Sequence, residues 1–380
     1  MIVAAALGAL TLGGTIFYLL IVAAIRRVRN RAPEALPHPS PSISFLKPLS
    51  GLDLGLGENL TSFFEVNYSD FEILFGVHTS DDPAAGVAER LIQEHPQVRA
   101  RLLVIGEPDL RASPNRKVHT LTGLAEQAAG ELLVVSDSDI FVSPDCLDRI
   151  AADFADPNVG VLTCPYRGVG GGRLWSELEA IGMNTEFWGG VFVAQMLGPM
   201  DFAVGPTMAV RRACLDELGG FEAYRDYLAE DFVIGRDARA KDWEVALSSH
   251  VVEHRIGAQA FGPNLKHRLR WYRSTRRSRP AGYLAQVFTY PLVFALGLLL
   301  WSAGAAWVWG LAAVCACARV AAAWAMARFL GQRTGPRFWL LLPFQDALSF
   351  LVWLGAFFGN RIVWRDHAFH LTKDGRLRAG

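Results

Sequence analysis

Hydrophobic and polar positions divide the chain into three regimes. Ile2 to Ile25 is one uncharged apolar span, and Arg26, Arg27, Arg29 and Arg31 follow it at once. That span is long enough to cross a bilayer. From Ser42 to about Asn264, short apolar runs alternate with stretches of helical spacing. Beyond that, Val287 to about Phe329 has apolar length for two spans, and Phe338 to Phe358 makes a third candidate.

Within the middle regime, Ile43-Ser44-Phe45-Leu46, Phe71 to Val77, Arg101 to Ile105, Leu132 to Ser136, Val159 to Pro165 and Val245 to Val252 read as strands. Such runs are short, apolar and rich in β-branched residues, and turn signals bound them. Glu58 to Val66, Ala84 to Glu94, Val118 to Ala129, Leu174 to Phe187 and a segment opening at Tyr227-Leu228-Ala229-Glu230-Asp231 and running to Ala240 read as helices. Strands and helices in alternation predict an α/β fold with a mostly parallel sheet, whose ligands sit at the carboxyl ends of the strands.

Acidic residues gather at those ends. The run Leu132-Leu133-Val134-Val135-Ser136 stops at Asp137-Ser138-Asp139, and the Phe71 strand leads to Asp81-Asp82-Pro83. Two carboxylates at a strand end can hold a hard divalent cation, which can in turn hold a diphosphate. Equally, Asp is a common capping residue in turns. Neither Gly-x-Gly-x-x-Gly nor a Walker-type Gly-x-x-x-x-Gly-Lys-Ser/Thr occurs. A metal on Asp137 and Asp139, with a cation such as Lys117, would fill the role of those phosphate cradles.

Composition sharpens the membrane reading. Hydrophobic residues make up 51% of the chain, and mean hydropathy is +0.22. Formal net charge is +0, so nothing global favours nucleic acid. Cys146, Cys164, Cys214, Cys315 and Cys317 include no CxxC pair and read as buried small hydrophobes in a reducing compartment. Positive charge after the first apolar span, rather than before it, favours an uncleaved anchor with the arginines in the cytoplasm. Pro33 to Pro41 reads as a linker. Phe261 to Tyr283 interleaves Lys266, His267, Arg268, Arg270, Trp271, Tyr272, Arg273, Arg276, Arg277 and Arg279, as expected of a helix lying on an anionic leaflet. The last candidate span carries Pro343, Gln345 and Asp346 ahead of a basic tail. A simple crossing would place that tail outside against the charge rule, so a bent or re-entrant segment is expected. Asp346 at membrane depth marks either function or a pair with a nearby Arg.

Asp82, Asp137/Asp139, Asp231 and Arg270-Trp271, in that order, resemble the D, DxD, D, (Q/R)xxRW signature of inverting, membrane-bound glycosyltransferases of the GT-A fold. Phe45-Leu46-Lys47-Pro48-Leu49, Asn115-x-Lys117, Ala229-Glu230-Asp231-Phe232 and Trp364-Arg365 extend the likeness nearly end to end. The match is to the ceramide glucosyltransferase family, which includes bacterial hopanoid glycosyltransferases. The resemblance implies an N-terminal anchor (1–26), a cytoplasmic GT-A catalytic domain (42–260), an interfacial segment (261–284), C-terminal membrane helices (285–360) and a basic tail (361–380). It implies Mg²⁺ or Mn²⁺ held by Asp139 with help from Asp137, nucleotide recognition by Asp82, and Lys117 near the base or diphosphate. Asp231 matches the general base, and Arg270 and Trp271 the diphosphate and the acceptor mouth. The implied reaction moves glucose or N-acetylglucosamine from a UDP-sugar to a hydroxyl of a ceramide-like or hopanoid lipid, in an integral membrane protein of the bacterial inner membrane. Position 267 is His where the family motif has Gln or Arg. Each acid also has a structural alternative: Asp82 as an N-cap before Pro83, and Asp231 as an early-helix acid. Arg270-Trp271 can serve as a membrane anchor, and His250 and His254 read as structural, with a metal or diphosphate contact as the alternative for His254. A processive polysaccharide synthase and a non-catalytic scaffold are the competing functions, but four candidate spans are few for a polymer channel, and the acids are intact.

Overall fold

The computed structural model describes residues 1–29, 36, 39–364 and 367–379. Arg31, most of the Pro33 to Pro41 linker and Arg365 lie outside the described residues. The chain divides into two units. A helical unit comprises Met1–Ala32, Arg167–Pro199 and Ala258–Asn360, and a sheet unit comprises Pro33–Tyr166, Met200–Gly257 and Arg361–Gly380.

The strands in chain order are β1 (Ile43–Pro48), β2 (Phe71–Val77), β3 (Ala100–Val104), β4 (Leu132–Ser136), β5 (Ile140–Phe141), β6 (Val159–Thr163) and β7 (Tyr166–Gly170). After them come β8 (Thr207–Arg211), β9 (Glu244–Leu247), β10 (Val252–Ile256), β11 (Arg361–Trp364), β12 (His367–Leu371) and β13 (Leu377–Ala379). The main sheet runs β3-β2-β1-β4-β8-β6-β9. β1 pairs parallel with β2 and β4, β2 with β3, and β6 with β9, while β8 is antiparallel to β4 and β6. The expected α/β class with a mostly parallel sheet is what forms. β4 is buried at every position, which explains its unbroken apolar run.

One expected strand divides. Val245 to Val252 forms β9 and the start of β10, because Ser248 makes a turn: its hydroxyl donates to Asp153 at 2.5 Å and accepts from the His250 amide at 3.0 Å. β10 returns antiparallel to β5, with His254 opposite Ile140. The tail forms a sheet of its own, β11-β12-β13. Ile362, Phe369, Leu371 and Leu377 bury Leu228. The Leu377 amide donates to Asp226 O at 2.6 Å, and Arg376 lies over the Tyr227 ring at 4.7 Å.

In the helical unit, Ile2–Arg29 packs on Pro291–Trp301 and Ala306–Phe329. Ile2–Val28, Ala306–Phe329 and Pro336–Gly355 are each long and apolar enough to cross a membrane. A fourth candidate, Pro280–Thr289 with Pro291–Trp301, is bent by 55°. The bend expected near Pro343 therefore falls elsewhere: Pro336–Gly355 is one helix, with Pro343 inside it. At Tyr290-Pro291 the proline opens a new helix, and its missing N–H cannot continue the one before it. The helix begun at Leu174 runs past Phe187 through a π turn, Met183–Phe187, to Leu197. Cys317 is exposed and the other four cysteines are buried, which corrects the expectation for that one thiol.

Asp346 is paired. Arg319 donates to it at 2.7 and 2.9 Å and to the Thr185 hydroxyl at 3.0 Å, and both charged side chains are 1% exposed. Breaking such a pair on one side leaves a buried charge uncompensated. Arg319→Met is expected to destabilise the protein by about 3–5 kcal/mol, and adding Asp346→Leu should recover most of that loss. Thermal unfolding of the full chain in detergent checks both.

Candidate active site

Asp82, Asp137, Asp139 and Asp231 belong to the sheet unit, and Asp137 and Asp139 stand at the carboxyl end of β4. β2 and β4 flank β1, so their ends lie about 10 Å apart. Where β4 stops, the Asp137 amide donates to Pro206 O at 3.0 Å, and the chain turns through Ser138 and Asp139 into β5. Three groups fix the turn. The Ser138 hydroxyl donates to Asp53 at 2.5 Å, Asn59 Nδ2 reaches Ser138 O at 3.3 Å, and Lys47 Nζ donates to Asp137 O at 2.6 Å.

Lys47 is fully buried and its ammonium sits 3.8 Å from the Phe63 ring centroid. Burial lowers its pKa to about 7 against the pull of Asp137 and Asp139. The sequence carried a signal for this residue, a lone charge at the end of an otherwise apolar strand. Only the register of β1 beside β4 explains it.

Asp137 and Asp139 have different surroundings, although each side chain is 33% exposed. Lys117 Nζ lies 2.7 Å from Asp137 Oδ1 and 3.2 Å from Glu230 Oε1. Burial and the neighbouring Asp139 raise the Asp137 pKa, in spite of Lys117. Asp139 Oδ2 is 3.0 Å from His254 Nε2. Burial works against its charge, but His254 and Lys47 outweigh burial and draw its pKa below the ordinary value. Burial also opposes the charge of Lys117, and Asp137 and Glu230 more than compensate, so its pKa is raised. Asp139 Oδ1 is buried and has no partner among the described residues. A carboxylate oxygen in that state, beside a second carboxylate and an imidazole, fits a divalent cation. No three His, Cys, Asp or Glu side chains among the described residues form a metal cage by themselves. The donor set thus suits a cation that takes its remaining oxygens from a bound diphosphate, as Mg²⁺ sites commonly do.

Asp231 stands in the first turn of the helix Glu230–Ala240. It accepts hydrogen bonds from the amides of Phe232 and Gly205, while burial and the adjacent Glu230 raise its pKa to about 7. Gly205 is required by that approach, since a Cβ there would stand 2.8 Å from Asp231 Oδ2. Glu230 is buried and bonded to Lys117 and to Asn115 Nδ2 at 3.1 Å. Asn115 caps the helix Arg116–Gln127 through Val118 N and reaches Tyr227 O at 2.7 Å. Sequence reasoning gave Glu230 no role beyond its motif, and the only signal was two acids side by side.

Asp82 acts as the N-cap of Pro83–Glu94, accepting from the Ala84 amide at 2.9 Å. It also binds the Gly51 amide at 2.9 and 3.1 Å, which pins the loop after β1. Arg270 and Trp271 lie on the helix Phe261–Ser278 of the helical unit. There His267, at the motif's first position, binds Glu179 at 2.9 Å and packs its ring 4.8 Å from that of Trp271. Asp82, Lys117, Asp137, Asp139 and Asp231 thus share the sheet unit, while Arg270 and Trp271 belong to the other unit.

The sequence pattern of glycosyl transferase family 21 matches residues 6–377. Ceramide glucosyltransferase 1 of Caenorhabditis elegans is 32% identical over 249 residues, 63% of this chain and 52% of that protein. Ceramide glucosyltransferase 3 of the same organism is 30% identical over 260 residues, 67% of this chain and 55% of that protein. The chain therefore spans about half the length of these curated relatives. Among solved structures, the mannosyltransferase PcManGT from Pyrobaculum calidifontis, in complex with GDP-Man and Mn²⁺, superposes with a TM-score of 0.55 at 19% identity. The match covers 93% of this chain and 98% of that one. This likeness is one of fold, the GT-A arrangement.

Lys117→Met leaves Asp137 and Glu230 facing each other without their common cation. A loss of roughly 2–4 kcal/mol is expected, read as a lower unfolding temperature. Lys117→Arg should recover part of it.

Proposed function

The chain belongs to glycosyl transferase family 21, and we propose that it moves glucose or N-acetylglucosamine from a UDP-sugar to a hydroxyl of a membrane lipid. The acceptor is ceramide-like or hopanoid, one sugar is added per acceptor, and the anomeric carbon inverts. One observation carries this reading: Lys117 ties Asp137, at the end of β4, to Glu230, the neighbour of Asp231. A carboxylate pair suited to a metal and a carboxylate suited to accept a proton are thereby held in one network. The names of the C. elegans relatives support a sphingolipid acceptor, and the Mn²⁺ and nucleotide sugar in the mannosyltransferase complex support a metal-assisted donor.

In this mechanism Asp139 and Asp137 hold Mg²⁺ or Mn²⁺, which when bound neutralises the diphosphate of the departing UDP. Lys117 holds Asp137 in place and adds positive charge near the base or diphosphate. Asp82 keeps the Gly51 loop in position and recognises the nucleotide with its remaining lone pairs. Asp231 takes the proton of the acceptor hydroxyl as that oxygen attacks the anomeric carbon from the face opposite UDP. Its raised pKa makes it a stronger base than an ordinary carboxylate, and the Gly205 and Phe232 amides keep it oriented. We assign Arg270 to the diphosphate and Trp271 to the lipid–water boundary, as the family motif implies.

The fold also supports a membrane setting with the sheet unit on the cytoplasmic side. β11–β13 belong to the same unit as the main sheet, so any bilayer must be crossed an even number of times between Gly257 and Arg361. Crossing out by the bent pair and back by Ala306–Phe329 supplies two and keeps Arg328, Arg333 and Arg337 on the cytoplasmic face. An even number of crossings keeps the basic tail cytoplasmic, in agreement with the charge rule.

Calorimetry of UDP with and without Mn²⁺ tests the donor site. Binding should depend on the metal and be lost in Asp139→Ala, and metal-independent binding would refute the assignment. Asp231→Asn should keep UDP binding and lose about 10²–10⁴-fold in turnover. Wild-type turnover should rise with pH through about 7 as Asp231 loses its proton. Glu230→Gln removes a charge that raises that pKa, so the rise should move to lower pH. Radiolabelled product should extract into organic solvent, and an insoluble polymer would overturn the lipid acceptor.

A further inference from the structure

Most buried charges of the helical unit are matched. Asp346 is bonded to Arg319. Glu179 receives Asn264 at 2.5 Å and His267 at 2.9 Å. Glu186 is different. Its Oε1 accepts from the Ser349 hydroxyl, from Tyr272 OH at 3.3 Å and from Gln345 Nε2 at 3.4 Å, while its Oε2 is buried without a partner among the described residues.

Two more unpartnered atoms belong to the same cluster. Gln345 Nε2 donates to Ser349 Oγ at 2.6 Å and Arg268 Nη2 to the same oxygen at 3.3 Å, yet Gln345 Oε1 and Arg268 Nη1 have no partner among the described residues. Glu186, Arg268 and Gln345 are 8%, 5% and 0% exposed. Buried polar atoms are nearly always bonded, and leaving one unbonded costs about 1–3 kcal/mol. Three such atoms here belong to side chains that share the Ser349 hydroxyl. Glu186 also stands in the π turn Met183–Phe187, a distortion frequent at functional sites. An aromatic wall adjoins the cluster: Tyr290 is 3.3 Å from Tyr272 OH to OH, and its ring packs with those of Phe350 and Trp353.

We propose that Glu186, Gln345 and Arg268 form a binding site for the polar end of the acceptor lipid. Two acceptors and one donor stand open, and these complement a lipid that presents two N–H or O–H donors and a carbonyl, as an N-acyl amino-alcohol does. The aromatic wall suits the first part of its apolar body. This inference rests on the lipid-acceptor reading above and names the residues that select the acceptor. They are specificity residues and take no part in the proton transfer.

The test uses the full chain in nanodiscs with UDP-glucose and two probes, a short-chain N-acyl sphingoid base and its O-acyl counterpart, which lacks the amide N–H. For the wild type, KM should be about tenfold higher for the ester, the effect of one lost hydrogen bond to a charged group. Glu186→Gln and Gln345→Met should raise KM for the amide by a similar factor and bring the ester-to-amide ratio towards one, with UDP affinity unchanged. A purely structural role would lower turnover on both probes and leave the ratio unchanged. Transfer by the wild type with equal KM for the two probes overturns the site without any variant. So does an unchanged ratio in both variants. No transfer to either probe by a wild type that binds UDP overturns this inference, and the lipid-acceptor reading falls with it only if no labelled product from total membrane lipid extracts into organic solvent.

Discussion

The two ion pairs of Lys117 are the interaction on which the sheet unit depends most. Asp137 follows β4, Glu230 opens a helix much later in the chain, and one ammonium lies within 3.2 Å of both. At an effective dielectric of about 20, unit charges 4 Å apart interact by about 4 kcal/mol. Without the lysine, Asp137 and Glu230 would face each other as like charges with no common cation. The same group moderates Asp231, whose pKa burial and Glu230 raise and Lys117 lowers. Folding and the tuning of the Asp231 carboxyl thus share one contact.

Much of the sheet unit could be read from the amino-acid sequence because its signals are local. Strand ends followed by Asp-x-Asp or Asp-Asp-Pro announce a ligand edge, and Asp82-Pro83 announces a helix start. The features that escaped depend on chain segments far apart in sequence. Lys47 reads as a strand residue until β1 is known to lie beside β4. For His254 the sequence leaves a structural role and a metal or diphosphate contact both open, and its place beside Asp139 appears only when β10 turns back onto β5. The turn at Ser248 that makes this possible rests on a bond to Asp153, which no periodicity reveals.

The helical unit shows a different limit. An aspartate at membrane depth draws attention from sequence alone, and Asp346 proves to be the satisfied one. Arg319, a helix away, meets both of its oxygens. The group with spare bonding capacity is Glu186, on a stretch that reads as an ordinary helix of mixed faces until the π turn appears. Charge alone does not separate a satisfied buried acid from one with spare bonding capacity, whereas the hydrogen-bond partners do.

The tail sheet has a bearing on the order in which the protein is made. Asp226, Tyr227 and Leu228, just ahead of Glu230 and Asp231, take bonds and cover from Gly375, Arg376 and Leu377. Those partners leave the ribosome after every apolar helix of the chain has done so. The segment leading to Asp231 can therefore reach its final form only once the candidate membrane helices have been synthesised.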